Sequence, residues 1–473
     1  MAKRPLALIL AAAALPLAGC AVGPDYHPKP ASELGVPEAY SVPADSSRED
    51  LAEWWKKFDD PLLGQLVEQG RAANLDVGQA VARLRQARES LVQARAALLP
   101  AVTASGGVSR NQGVTGTGGF ADNSSFSIGA DASYQVDLFG GNRRNTEAAG
   151  AAAEAASYDV AAVLISVEAE IARNYVLARL AQAQLANARD SLGIQDDNLQ
   201  IAQWRVQAGL VSSIDAETAR AQRAQTAASI PSLESAYNGY VSRIGVLTGQ
   251  APGALKGQLE AVKPIPAGPS SVAAGIPADT LRQRPDVRSA ERNLAAASAR
   301  IGVAEAQLYP QLSIGGSLGS GGGTVGSLFD VITGRLFANI AQTIFDGGRL
   351  KSQVRSAEAA AEGSFLAYKS SVLSALEDSE NAIVALKAAQ DRAAQYAVAL
   401  EASNNQAILA RMQYRSGLTD FTTLNQAESA LLSARNGLSQ AKSDEATALI
   451  ALYLALGGGW DLNSTPEATA NGQ

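Results

Sequence analysis

The chain has 473 residues, of which 47% are hydrophobic and only 5% are aromatic. This length is enough for two or three ordinary domains, and the shortage of aromatic side chains favours closely packed, Ala-rich helices over the bulky core of an enzyme. The formal charge of −7, with no basic stripe along the chain, argues against a nucleic-acid-binding protein.

The N-terminus has the pattern of a processing signal rather than of a folded element. A charged start is followed by an apolar stretch over residues 6–17 and by Leu-Ala-Gly directly before Cys20. This pattern predicts a lipoprotein signal peptide over residues 1–19, with Cys20 acylated as the first residue of the mature chain. Cys20 is the only cysteine, so the sequence predicts no intrachain disulfide. Several acyl chains on one residue give stable membrane attachment.

The mature chain begins with a segment rich in proline and polar residues over residues 20–50. This composition predicts an extended arm rather than a domain. Trp54 and Trp55 follow, and we expect them to pack the arm onto the body rather than to bind a ligand. The pair Asp60-Pro61 then introduces a first helix.

Two long stretches of the chain repeat each other at an offset of 210 residues. Asp76 opens a predicted helix that ends at Pro100, and Asp286 opens another that ends at Pro310. A period this long indicates a tandem duplication of a whole structural unit rather than a solenoid repeat. The predicted organisation is a first repeat over 51–263, a linker over 264–277, a second repeat over 278–460 and a disordered tail over 461–473.

Each repeat contains a predicted pair of β-strands, over about 100–139 and 310–346. Across residues 126–138 apolar and polar side chains alternate without exception, which is the period of a strand. A half-buried soluble sheet and a membrane β-barrel share this pattern. Because lipid forbids open sheet edges and one chain has too few strands to close a barrel, an embedded sheet must be shared between protomers. Two chains or three would close it, and a trimer is preferred because its wider barrel begins to enclose a channel.

Each repeat ends in a predicted helical hairpin, over about 143–249 and 349–457. The return limb of the second hairpin carries a heptad seam of Leu and Ala from residue 424 to residue 455. In the first hairpin the chain turns at Gly209, and Ser212 or Ser213 caps the return helix, with Asp215 in its first turn. The longer limbs span about 95 Å at about 1.5 Å per residue. The sequence therefore predicts a mixed α+β fold that builds something extended.

Chemistry for catalysis is missing from the sequence. His27 is the only histidine and lies in the Pro-rich arm, which argues against a His-based catalytic base or metal site. Residues 321–326 fit the pattern G-x-G-x-x-G, but they lead into a strand instead of a helix, so a hairpin loop is the better interpretation. We expect no enzyme, no metal and no cofactor.

Several short motifs together resemble the TolC-like outer-membrane factors, in the lipoprotein branch typified by OprM and NodT-type efflux proteins. The resemblance covers nearly the whole chain. The motifs are Cys20-Ala21-Val22-Gly23-Pro24-Asp25-Tyr26, Trp54-Trp55 with Phe58 and Asp60-Pro61, the turn at 137–141, Arg282-Gln283-Arg284-Pro285-Asp286, and residues 455–460. The resemblance implies a homotrimeric tube, in which a twelve-stranded β-barrel in the outer membrane of a Gram-negative cell continues into a periplasmic α-helical barrel.

The same resemblance implies a function and partners. Members of the family are passive exit ducts of tripartite efflux pumps. They work with a periplasmic membrane-fusion adaptor and an inner-membrane transporter, for which the resemblance favours the RND type. By resemblance to lipoprotein sorting signals, Ala21 rather than Asp after the acylated cysteine favours the outer membrane.

The resemblance also places a periplasmic mouth at the two helical turns. It implies a gate that contains Asp215, Tyr414 and Asp420. The implied adaptor-contact tips are Gly209, Leu210, Ser212, Gly417, Leu418 and Thr419.

The chain departs from the family pattern at two positions near the second turn. Thr419 stands where some members carry a basic residue, which leaves Arg411 or Arg415 as replacements. Gln426 stands where an acidic residue is common, which leaves Asp420 as the candidate for a ring of carboxylates. A second interpretation of Asp215 and Asp420 is helix capping and compensation of the helix dipole, and the two interpretations are compatible.

Two other functional classes remain open at the level of the sequence. A diffusion porin or a non-efflux secretion duct would share the predicted architecture. A lipoprotein scaffold that does not span the membrane would explain the heptads, although the alternation over residues 126–138 argues against it. A wide tube needs no selective pocket, so no residue points to a particular cargo.

Overall fold

The computed structural model describes residues 21–47, 50–114 and 120–461. The predicted signal peptide, Cys20 and all of the predicted tail except Asp461 lie outside these residues. The described chain folds as two compact units, each made of separate segments. The first contains the described residues up to Lys29 together with Arg83–Ala156 and Ser289–Lys369, and the second contains the remaining described residues.

Helices account for most of the described chain, and four of them are much longer than an ordinary helix. We number them in chain order as α1 Pro61–Ala73, α2 Leu75–Ala96, α3 Gly141–Gln207, α4 Ser213–Leu247, α5 Lys256–Leu259, α6 Pro277–Gln283, α7 Pro285–Ala306, α8 Arg349–Arg415 and α9 Phe421–Ala455. Short 3-10 helices are Ala31–Leu34, Trp54–Phe58 and Val325–Ser327. The predicted hairpins are therefore α3 with α4 and α8 with α9.

A four-stranded antiparallel sheet lies in the first unit, with strands in the order β1-β2-β3-β4. The strands are β1 Ala101–Val114, β2 Phe120–Val136, β3 Gln311–Gly322 and β4 Ile332–Ala341. The second predicted strand pair extends to about residue 346, but β4 ends at Ala341. Ala341 pairs with Gln311, the first residue of β3, so the strand has no further partner. A strand without a partner loses its ladder of hydrogen bonds.

The start of α2 differs from the prediction that Asp76 opens this helix. α2 begins at Leu75, and the side-chain oxygen of Asn74 accepts hydrogen bonds from the N–H groups of Asp76 at 2.8 Å and Val77 at 3.1 Å. Asn is as good an N-cap as Asp, and its amide oxygen reaches the orphan donors of the first turn. Asp76 therefore lies inside the first turn, where its charge still favours the helix dipole.

Both repeats place a carboxylate at the turn from sheet to long helix. Asp137 accepts hydrogen bonds from the N–H groups of Asn142 at 3.0 Å and Arg143 at 2.9 Å. Asp346 accepts hydrogen bonds from the N–H groups of Gly348 and Leu350, each at 2.9 Å. The duplication read from the sequence thus recurs as one capping device used twice.

Arg144 holds the start of the described chain in the first unit. Its buried guanidinium donates to the carbonyl oxygens of Val22 and Gly23, each at 3.0 Å, and to a carboxylate oxygen of Asp25 at 2.7 Å. The Val22 N–H donates to the carbonyl of Phe139 at 3.1 Å. The residues that follow Cys20 are therefore fixed to the turn that begins α3.

The main hydrophobic core lies in the second unit. Trp54 and Trp55 are buried there, and Trp54 stacks on Tyr453 with ring centroids 5.4 Å apart. This confirms that the two tryptophans are packing residues. The core also includes Leu63, Ile171, Tyr175, Ile244 and Leu449.

Candidate functional site

The sheet has one continuous apolar face that crosses all four strands. The register pairs Val102 with Ala132, and Ala132 in turn pairs with Gly316, which pairs with Leu336. Since side chains alternate between faces, every second residue along each strand lies on the same face as this cross-strand row. Large side chains on the face are exposed, Leu336 at 90% and Val102 at 72%. An exposed apolar face of this extent indicates contact with lipid or with a partner.

The opposite face of the sheet is polar. One cross-strand row contains Thr103, Asp131, Ser317 and Arg335. Another row pairs Ser313 with Asn339. The two faces together reproduce the apolar-outward and polar-inward alternation that characterises membrane β-barrel strands.

The two hairpin tips have the same backbone geometry. Gly209 and Gly417 have φ of 69° and 73°, the left-handed conformation that suits glycine at the end of a helix. The N–H of Leu210 returns to the carbonyl of Arg205 at 2.9 Å, and that of Leu418 returns to the carbonyl of Gln413 at 2.8 Å. These bonds are those of a Schellman motif, which turns the chain sharply after each long helix.

The return helices begin with side-chain caps. Ser212 caps α4 by accepting from the N–H of Ile214 at 3.3 Å, which confirms one of the two predicted caps. Asp420 caps α9 by accepting from the N–H of Thr423 at 2.8 Å. This hydrogen bond holds the pKa of Asp420 below its usual value. Asp420 therefore has the capping role, and its exposed carboxylate remains charged at neutral pH.

Asp215 lies in the first turn of α4, where its charge suits the helix N-terminus. Within the described chain, no hydrogen bond or ion pair joins it to Tyr414 or Asp420. The three predicted gate residues thus lie at the two tips without direct bonds between them.

Tyr414 is buried near the end of α8 rather than exposed. Its side chain is 1% exposed and packs edge-on against Phe421, with ring centroids 5.8 Å apart. Its hydroxyl makes no hydrogen bond in the described chain. The two hairpins share an apolar cluster here, which contains Ala202 and Ala219 of the first hairpin and Tyr414, Phe421 and Leu424 of the second.

Arg205 is a tip residue that the sequence does not reveal. It lies in the last turn of α3, and its Nη1 donates to the carbonyl of Tyr414 at 3.2 Å. Its guanidinium carbon lies 4.7 Å from the centroid of the Tyr414 ring. The two residues are 209 positions apart, so no local pattern could link them.

Arg411 is one of the two candidate replacements for the basic residue absent at Thr419, and it pairs within its own hairpin. Its guanidinium forms a two-pronged salt bridge with the buried carboxylate of Glu428, with the second contact at 2.9 Å. The hydrogen bond to Glu428 raises the pKa of Arg411. Arg411 thus joins α8 to α9 within one hairpin, while Arg415 lies exposed at the tip.

The turns also present large apolar side chains to solvent. Leu210 is 69% exposed, Ile214 71% and Leu418 78%. Thr419 lies half-buried between Leu418 and Asp420. Exposed leucines at a turn are suited to packing against another protein.

None of the helices in the described parts of the chain is both long and apolar enough to cross a membrane. The same residues contain no cluster of His, Cys, Asp or Glu that could hold a metal ion.

An exposed apolar sheet face and long paired helices are features of a membrane channel subunit, and comparisons with known proteins show which class of channel they belong to. The family described as outer membrane efflux protein matches residues 66–250 and 276–458. Nodulation protein T of Rhizobium leguminosarum bv. trifolii is 34% identical over 94% of this chain and 96% of its own length. The pyoverdine export outer membrane protein OpmQ of Pseudomonas aeruginosa is 30% identical over 89% of this chain and 90% of its own length.

Solved structures show the same fold. The outer-membrane channel OprN is 35% identical, covers 93% of this chain and 100% of its own, and superposes with a TM-score of 0.84. The CmeC outer membrane channel of Campylobacter jejuni, 22% identical with a TM-score of 0.85, shares the fold. The chain belongs to the outer membrane efflux protein family. It is an efflux channel of the Gram-negative outer membrane, in a family of channels rather than enzymes.

Proposed function

We propose that three copies of the chain assemble into the exit duct of a tripartite efflux pump. The observation that carries this proposal is the sheet. Its apolar face is exposed, and its outer strands β1 and β4 each leave one edge without a partner among the described residues. Unpaired backbone groups are too costly in lipid, so β1 of one protomer pairs with β4 of the next until the barrel closes.

The helical hairpins supply the periplasmic part of the duct in this proposal. Their Ala-rich seams allow neighbouring helices to pack closely, both within a protomer and between protomers. A periplasmic adaptor and an inner-membrane transporter, of the RND type by the family resemblance, complete the pump. The chain itself provides the passage, and the transporter provides the energy.

The hairpin tips form the mouth that meets the adaptor. The exposed apolar side chains of Leu210 and Leu418 provide contact area, and Gly209, Ser212, Gly417 and Thr419 shape the two turns. Asp215, Tyr414 and Asp420 contribute to the gate. Three copies of Asp420 form a ring of carboxylates that attracts cations and repels anions in a narrow pore.

Acylation of Cys20 anchors the trimer in the outer membrane. Support comes from the contacts of Arg144, which fix residues 22–25 beside the turn at the base of the sheet. The residues that follow the proposed anchor are thereby fixed in the unit that contains the sheet. OpmQ exports pyoverdine by name, and small molecules of that kind are the cargo class that we assign to this chain.

The assembly and its resting state are tested together in purified, acylated protein. Native mass spectrometry in detergent should give a homotrimer, and planar bilayers should show small, intermittent conductance without an adaptor. A large, steady conductance in the absence of an adaptor would instead identify a diffusion porin. A water-soluble monomer obtained after Cys20→Ser would contradict the trimeric duct and favour the scaffold.

A further inference from the structure

Arg205 connects the end of α8 to the other hairpin of the same chain. Its Nη1 donates to the main-chain carbonyl of Tyr414 at 3.2 Å. The same carbonyl accepts the N–H of Gly417 at 3.0 Å. The last four carbonyls of a helix lack intrahelical partners, and a positive charge beside them is favourable. Arg205 is thus a C-terminal cap that the first hairpin supplies to a helix of the second.

The Tyr414 ring is held between two side chains. The Arg205 guanidinium covers it at 4.7 Å from the centroid, and Phe421 packs against it at 5.8 Å. A cation over a buried aromatic face is stabilising, more so when water is excluded. The Tyr414 hydroxyl has no partner within the described chain. The ring face and the carbonyl, rather than the hydroxyl, are therefore what hold this residue.

The backbone at Gly417 lies beside the guanidinium, at a distance where even a Cβ would make only ordinary van der Waals contact. A Cβ placed on Gly417 would lie 3.5 Å from Nη2 of Arg205. No carboxylate in the described residues pairs with Arg205, so its positive charge is directed at the end of α8. Arg411 cannot substitute for Arg205, because the Arg411 guanidinium is already held in a salt bridge with Glu428.

We propose that Arg205 is a positioning residue that fixes the end of α8 to the first hairpin and thereby sets the resting aperture of the mouth. The inference deepens the proposed function and rests on it, because that function supplies the mouth whose aperture Arg205 sets. The link itself stands on the contacts of one protomer. Loss of the guanidinium frees the last turn of α8 and the Tyr414 ring together.

Hydrogen exchange and conductance on the full-length trimer test the two parts separately. In Arg205→Met, the amides of residues 416–418 should exchange about tenfold faster, since they bond to the last carbonyls of α8 and lose the cap and the cation. Single-channel conductance in planar bilayers should rise. Arg205→Lys should give intermediate values, because a lysine keeps the charge but not the planar stacking.

Arg189→Met is the matched control. Arg189 lies on the same helix and bonds Glu234 at 2.7 Å, entirely within the first hairpin. Its loss should change neither exchange at 416–418 nor conductance. Unchanged gel-filtration elution of each variant shows that the trimer is intact.

The outcomes are distinguishable. Unchanged exchange in Arg205→Met would overturn the link, whatever the conductance. Faster exchange with unchanged conductance would leave the link in place and overturn its role at the mouth. In that case, unchanged ion selectivity on neutralising Asp420 would extend the failure to the proposed gate.

Discussion

Asp420 shows how one side chain serves both stability and function. Its carboxylate caps α9 by accepting a hydrogen bond from the N–H of Thr423. The residue is exposed at the tip, so its charge is accessible to solvent and ions. Sequence reasoning offered both roles, and the structure establishes the first. The second is separable, because asparagine caps a helix about as well as aspartate but carries no charge.

We predict that Asp420→Ala and Asp420→Asn lower cation selectivity in planar bilayers to the same extent. Only the alanine variant should also speed exchange at the start of α9, since only it removes the cap. The control Glu401→Gln, which removes an exposed charge from α8 far from the tip, should leave both properties unchanged. Selectivity that survives in Asp420→Asn would show that the charge plays no part in the gate.

The pH dependence of this selectivity has a defined sign. The pKa of Asp420 is lowered from 3.8 by its hydrogen bonds to Thr423. A depressed pKa means that the charged cap is present above the usual value and is lost as the pH falls through the folded-state value. Selectivity measured from neutral pH to about pH 5 should therefore be constant, with loss confined to more acidic conditions.

The sequence predicted the helix caps, but it did not predict the contacts between residues that are distant along the same chain. Ser212 follows from the local pattern of a polar residue before a helix. Tyr414 was identified through resemblance, yet its surroundings were not, because Arg205 is distant in the sequence. Arg411 illustrates the same limit, since its partner Glu428 is chosen by the packing of α8 on α9.

Elements were predictable where a single period dominates. Residues 126–138 alternate so regularly that β2 follows from the sequence, and the heptads of residues 424–455 define α9. Ends of elements depend instead on partners. β4 ends where β3 has no further residue to pair, and α2 begins one residue before Asp76 because Asn74 supplies the cap.

The face of the sheet leads to a prediction about β4. Leu336 is 90% exposed on the apolar face, so Leu336→Arg should prevent stable insertion, at a cost of about 2–4 kcal/mol for a charge facing the bilayer midplane. Asn339→Arg, on the polar face of the same strand, is the control and should be tolerated. Heat-resistant trimers in the outer-membrane fraction measure both. Equal amounts of trimer for the two variants would contradict the assignment of the faces.

At the scale of the whole molecule, the duplication organises the chain. The family matches in two segments, and each segment contains a helix, two strands and a long hairpin. Sequence identity at an offset of 210 residues made this arrangement predictable. The number of protomers is not written in any local pattern, because it depends on how sheet edges meet between chains. The requirement that lipid imposes on those edges calls for more than one chain, and the trimer that we propose meets it.

The most direct test of the account is efflux in cells that lack this gene. We predict that deletion raises the accumulation of, and sensitivity to, several compounds in a small-molecule panel. Wild-type protein should restore resistance, and Leu336→Arg should not. Unchanged accumulation and sensitivity across the panel, accompanied by loss of a secreted protein from the medium, would contradict the efflux duct and identify a secretion duct instead.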